Sequence, residues 1–177
     1  MTDARAWMAV ASYRRRSWVA TIATVVATMV VATAPVQAAE AFVHINTPSL
    51  TLTPSAQDYA NDYVDAVGSS GIDVKVKTNS PTGLILKVRS SGAGNTIRLG
   101  DLLLRTLTPA GPGGAALISW TPLGLTDLNL WSIGIAQGPF VSVATDVRIR
   151  NLGDYDDLPN AGYTFYTHTF VFTVVSP

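Results

Sequence analysis

The chain has 177 residues, 47% of them hydrophobic, with no cysteine and a formal net charge of zero. The missing cysteines exclude a disulfide framework, a thiolate nucleophile and Cys-ligated zinc. The charge balance offers no basic surface that could neutralise a row of phosphates, which argues against nucleic acid as a partner.

The first element is an export signal. Arg14, Arg15 and Arg16 precede an uncharged stretch from Trp18 to Ala34 that is rich in Val, Ala and Thr. It closes on Pro35-Val36-Gln37-Ala38, so small residues stand at −3 and −1 of a cut before Ala39. This order of charged, apolar and small residues is that of a secretory signal. A retained membrane anchor is the competing reading, but a spanning helix wants ~20 strongly apolar residues. Arg15-Arg16-Ser17-Trp18-Val19 also has some likeness to a twin-arginine signal. Residues 1–38 are therefore read as a cleavable signal peptide and 39–177 as one domain. Its expected destination is the periplasm, the cell surface or the medium. The cut removes four of twelve basic residues and one of twelve acidic ones, leaving eight against eleven. No second long apolar run follows, so no transmembrane segment is expected in the mature chain.

Within 39–177 the dominant period is two. Phe42–Asn46 and Ser49–Thr53 open the series of expected strands. From Ser55 to Val67 the pattern changes, because Ala56, Tyr59, Ala60, Tyr63, Val64 and Val67 fall at helical spacing. Ser55 and Asp58 stand where a capping box would place them, and the segment is expected to turn and pass into an edge strand. Ile72, Val74 and Val76 then alternate with Asp73, Lys75 and Lys77, and Leu84, Leu86 and Val88 with Lys87 and Arg89. Leu102–Leu107, Ala115–Thr121 and Leu128–Ile135 follow. Val141, Val143, Val147 and Ile149 alternate with Ser142, Ala144, Asp146, Arg148 and Arg150, and Tyr163–Val175 closes the chain as a long strand. Such runs mark half-buried strands with one wet face. Their joints carry turn residues, as in Asn79-Ser80-Pro81-Thr82-Gly83 and Ala110-Gly111-Pro112-Gly113-Gly114. The expectation is an all-β, antiparallel two-sheet sandwich. An outer-membrane barrel also alternates, but the charged faces of the Ile72 and Val141 strands oppose it.

Two stretches carry a resemblance. They are Val74-Lys75-Val76-Lys77-Thr78-Asn79-Ser80 with Gly83-Leu84-Ile85-Leu86-Lys87-Val88, and the terminal Gly162-Tyr163-Thr164-Phe165-Tyr166-Thr167-His168-Thr169-Phe170-Val171-Phe172-Thr173-Val174. Together they resemble secreted bacterial immunoglobulin-like sandwiches of the fimbrial-subunit and spore-coat-U-like kind. The resemblance implies an immunoglobulin-like fold and a structural role, and it supplies no catalytic residues.

Few residues point to chemistry. His44 and His168 are the only histidines, and both are expected to be packed or structural, with one ring nitrogen of His168 hydrogen-bonded. No Gly-x-Ser-x-Gly elbow, P-loop or His-Glu-x-x-His helix occurs. The acidic loop Asn151–Asn160 offers Asp154, Asp156 and Asp157 as a calcium candidate, since calcium favours flexible loops of oxygen ligands. Its spacing matches no EF-hand, and a solvated loop is the plainer reading. Asp58, Asp62 and Asp65 form a weaker set. Trp120 and Trp131 are conceivable sugar platforms, but their apolar neighbours favour core positions. The expected function is an exported structural or adhesive surface component without catalytic activity or a cofactor, acting through a protein partner or self-association. The alternative is an extracytoplasmic binding module for calcium, carbohydrate or protein.

Overall fold

The computed structural model describes residues 19–23, 25–29, 39–92, 96–155 and 165–177. The strands are β1 (Val19–Ala23), β2 (Val25–Met29), β3 (Ala41–Ile45), β4 (Ser49–Leu52), β5 (Tyr63–Ala66), β6 (Ile72–Thr78) and β7 (Leu84–Ser90). They continue with β8 (Leu102–Thr106), β9 (Thr121–Pro122), β10 (Leu128–Ile133), β11 (Gln137–Arg150), β12 (Phe165–Tyr166) and β13 (Phe170–Val175). One sheet runs β3-β6-β11-β8-β9 with β5 added on β11, a second runs β10-β7-β13-β2, and a small third runs β12-β1-β4. Every pair in the first sheet is antiparallel.

The alternation in the sequence sets the two main layers facing each other. Along β6 and β7 every second residue is buried, from Ile72 to Thr78 and from Leu84 to Ser90. These inner faces merge with Leu102, Leu104, Val143, Val147, Phe170 and Phe172 into one hydrophobic core. At about 25 cal/mol per Å² of apolar surface buried, this core is the main source of stability in a chain without cross-links. The result is an all-β fold of the β-sandwich type.

The chain crosses from one layer to the other between β6 and β7. Ser80-Pro81-Thr82-Gly83 closes a turn, with the Gly83 N–H donating to the Ser80 carbonyl at 3.0 Å. Gly83 has φ +84°, and a Cβ there would overlap the Ile133 carbonyl of β10. Both the backbone angle and the close approach demand glycine.

The dissenting segment forms as its spacing suggests. Helix α1 spans Ala56–Asn61, with Ser55 and Asp58 completing a reciprocal capping box. Asp62 caps the other end in the left-handed region, φ 62°. The chain then enters β5, which pairs only with β11.

Two expectations need correction. Ala115–Thr121 is not a strand: it contributes an isolated bridge from Ala116 to Trp131, and only Thr121 joins β9. The cause is Leu117, whose carbonyl accepts from Thr106 of β8 while its N–H donates to Leu130 of β10. A residue that bonds to both layers cannot extend a ladder in either. The terminal run is also not continuous: it breaks at residues 167–169, between β12 and β13. There the Thr167 N–H donates to Thr96 Oγ1 at 2.7 Å and the Thr167 carbonyl accepts from the Thr96 N–H at 2.9 Å, so the loop after β7 takes these backbone groups. Tyr163 and Thr164 lie outside the described residues.

Within 39–177 the described strand pairs are antiparallel, as alternation led one to expect. Two pairs are parallel, β1 with β12 and β2 with β13, and both involve the segment read as a signal peptide. β13 lies between β7, antiparallel over Phe170–Val175, and β2. Among the described residues, no helix is long and apolar enough to cross a membrane.

Candidate functional site

The residues singled out in the sequence do not converge on one site. His44 is exposed on β3, opposite Lys75 of β6. Asp58 caps α1, Asp62 ends it, and Asp65 lies on β5, where it binds Arg148 through both carboxylate oxygens at 2.6 and 2.7 Å. Asp58 and Asp62 thus lie at the two ends of α1, and Asp65 lies beyond it on β5. Asp154 is exposed and pairs with the Arg98 guanidinium. Asp156 and Asp157, the other calcium candidates, lie outside the described residues. Among the described residues, no group of three or more His, Asp or Glu side chains is arranged to hold a metal ion. With Asp154 already engaged by a guanidinium, the expected melting temperature is unchanged across millimolar calcium. A rise with calcium concentration that disappears when Asp154, Asp156 and Asp157 become Asn would assign the loop to the ion instead.

Trp131 is core, as its surroundings imply. It is buried, and its indole N–H donates to the Pro109 carbonyl at 2.8 Å. Trp120 is different, because it lies on the outer face of the six-stranded sheet. The Arg105 and Arg148 guanidinium carbons stand 4.4 and 4.5 Å from its ring centroid. Arg148 also lies 4.0 Å from the Tyr63 ring. Guanidinium groups against aromatic rings gain from the ring quadrupole, and here each guanidinium is also neutralised. Arg105 binds Asp146 at 3.0 Å, and Arg148 binds Asp65. The ring surface that a sugar would use is in contact with the chain's own cations.

Asp146 is the residue that sequence reasoning misplaced. Strand alternation puts it on the wet face, yet it is fully buried. The flank of β11 explains this. β6 pairs with β11 up to Thr145 and β5 pairs from Val147, so Asp146 faces the turn that joins them. One carboxylate oxygen accepts the Gly68 N–H of that turn at 2.8 Å, and the other accepts from Arg105. A second buried polar knot was equally unforeseen. Asp101 accepts from the Tyr155 hydroxyl at 2.7 Å and from Asn151, which adopts φ 57°. Burial, followed by the Asp101 bond, pushes the Tyr155 hydroxyl well above its usual range and keeps it protonated.

An open cleft of about 150 Å³ lies at the end of β6, between Glu40, Phe42, Lys77 and Gln137. Lys77 Nζ stands 4.6 Å from the Phe42 ring centroid and 4.9 Å from that of Phe140. Here too the rings hold a cation of the chain itself.

His168 is a titratable group in an apolar environment. It is fully buried against Phe170, with ring centroids 5.6 Å apart. Neither ring nitrogen has a hydrogen-bond partner among the described residues, which corrects the expectation of one bonded nitrogen. Burial lowers its pKa to about 4, so the ring is neutral at pH 7. The Ile97 backbone offsets part of that shift but lies outside hydrogen-bonding geometry.

Comparison with known proteins adds no family. No family model, curated protein or solved structure matches the chain. The fold therefore stands on its own geometry. What distinguishes it is the line along β12 and β13, where the last strands meet the N-terminal segment. This edge is the candidate site, an interface between backbones rather than a chemical centre.

Proposed function

We propose that the chain is an exported, non-catalytic structural or adhesive surface component, and that it works by adding a strand along the β12–β13 edge. The observation that supports this reading is the pairing of β2 with β13. Val25–Met29 lie parallel to Phe170–Val174 in five consecutive pairs. These covering residues belong to the segment read as the secretion signal. A cut before Ala39 removes β1 and β2 and leaves β13 with β7 on one side only.

The edge so opened is six residues of Phe, Val and Thr. The backbone N–H and C=O groups on that side would be unpaired, and an unpaired apolar edge recruits another extended chain. β-Strand addition of this kind takes its affinity from main-chain hydrogen bonds and its specificity from alternate side chains. The occupant in the precursor, Val-Val-Ala-Thr-Met, indicates the chemistry accepted: an uncharged, mainly apolar strand. The immunoglobulin-like identity suggested by the sequence is part of this proposal.

N-terminal sequencing of the secreted form should return Ala39 as the first residue. Sedimentation of that form should give oligomers that grow with concentration. A secreted form that retains Met1, or one that stays monomeric at every concentration, overturns the reading.

A further inference from the structure

We infer that His168 makes the pairing along the β12–β13 edge proton-sensitive: neutral, it holds the covering strand in place, and protonated, it releases it. As a regulator of strand addition, this role rests on the function proposed above.

The geometry is local to one joint. β12 ends at Tyr166 and β13 begins at Phe170, so His168 lies at the middle of the break. The N-terminal segment passes the same joint, since Ala20 pairs with Tyr166 and Val25 with Phe170. On the other side, the backbone is tied to the loop after β7. Thr167 exchanges hydrogen bonds with Thr96, and the Thr169 carbonyl accepts from Ser91 at 3.0 Å. Between these two attachments, the imidazole is fully buried with both nitrogens unpartnered among the described residues.

Among the described residues, no free counter-ion stands ready to accommodate a charge there. Residues 19–23 and 25–29 contain no titratable side chain. Arg89 on β7 faces Asp127, and Arg98 beyond the loop pairs with Asp154. Tyr155, whose ring meets Tyr166 edge-on at 5.0 Å, spends its hydroxyl on Asp101. Asp101 in turn is occupied by Asn151, with Arg150 at 3.8 Å. On β13 itself, the next inward residues are Phe170, Phe172 and Val174. An imidazolium at this point would be an unpaired charge in an apolar core, so protonation must open the joint.

The direction with pH follows from the depressed value. The folded state holds the proton with a pKa of about 4, against 6.5 when the ring is free. Stability from the neutral ring is therefore fully present above about pH 6.5 and is lost as the pH falls toward 4. Between pH 7 and pH 5 the population of the opened joint should rise about 20-fold.

The test uses the full chain, with hydrogen exchange read at the Phe170–Val174 amides and corrected for intrinsic rates. A labelled peptide with the sequence of residues 19–29 reports strand uptake in the same samples. The wild type should open about 20-fold more at pH 5 than at pH 7, with faster peptide uptake at pH 5. His168→Leu and His168→Gln, neither of which titrates, should each lose that dependence whatever their absolute stability. If the dependence survives in both variants, or if uptake is measurable but equal at the two pH values, the proposal is overturned and the strand-addition reading is left standing. If peptide is taken up at neither pH while the variants still abolish the dependence, the strand-addition reading fails. His168 then remains the proton-sensitive lock on β2 alone.

Discussion

Phe172→Ala should lower stability by about 3–5 kcal/mol, the range found when a buried aromatic side chain is truncated and its space is only partly refilled. Phe172 is fully buried, its ring centroid 6.3 Å from that of Phe170, on the strand between β7 and β2. In a domain of this size that loss corresponds to a fall in melting temperature of roughly 10 °C. Denaturant titration is the direct measurement, and the transition midpoint should move without a change in slope. A cost below about 1 kcal/mol would mean that β13 does not complete the core of the species in solution.

Asp146→Ala should cost about 3 kcal/mol, at the lower end of the range for breaking one partner out of a buried ion pair. The carboxylate is fully buried, but Arg105 keeps about a quarter of its side chain exposed (26%) and can turn toward water. The Gly68 N–H loses its acceptor at the same time. The damage should therefore concentrate where β5 hands over to β6, and exchange of the Gly68–Ser70 amides should accelerate beyond that of the core strands. Arg105→Ala should cost more if burial of the unpaired charge dominates, because it leaves the buried Asp146 carboxylate without its counter-ion. Equal losses in the two variants would instead point to packing against Trp120.

Much of the fold could be read from the sequence because its signals are local. The inward positions of β6 and β7 follow from alternation alone, and the capping box at Ser55 and Asp58 needs only four residues. Alternation states which face a residue shares, not what covers that face. Asp146 keeps the wet-face parity expected of it, yet the turn at Gly68 and the Arg105 side chain remove it from water. Residues 167–169 have the composition of a strand, but Thr96 takes the backbone groups of Thr167, and Ser91 the carbonyl of Thr169, from far away in the sequence. The same holds for Leu117, whose two partners lie in different layers. The candidate site was half legible. The apolar final strand and its risk as an open edge were evident, whereas the strand that covers it lay inside a segment whose composition suggested export.

The pairing of β2 with β13 also orders events in time. β2 has one strand neighbour, and that neighbour begins at residue 170. A chain made from its N-terminus therefore exposes Val25–Met29 long before their partner exists. Pairing across such a separation is slow, because the loop must close before any contact compensates. Under the export proposed above, the apolar segment would be accessible to the export machinery during that interval, because recognition precedes folding. Under that reading the same residues would serve first as an address and, in a precursor that folds before the cut, as a strand, with the order set by synthesis.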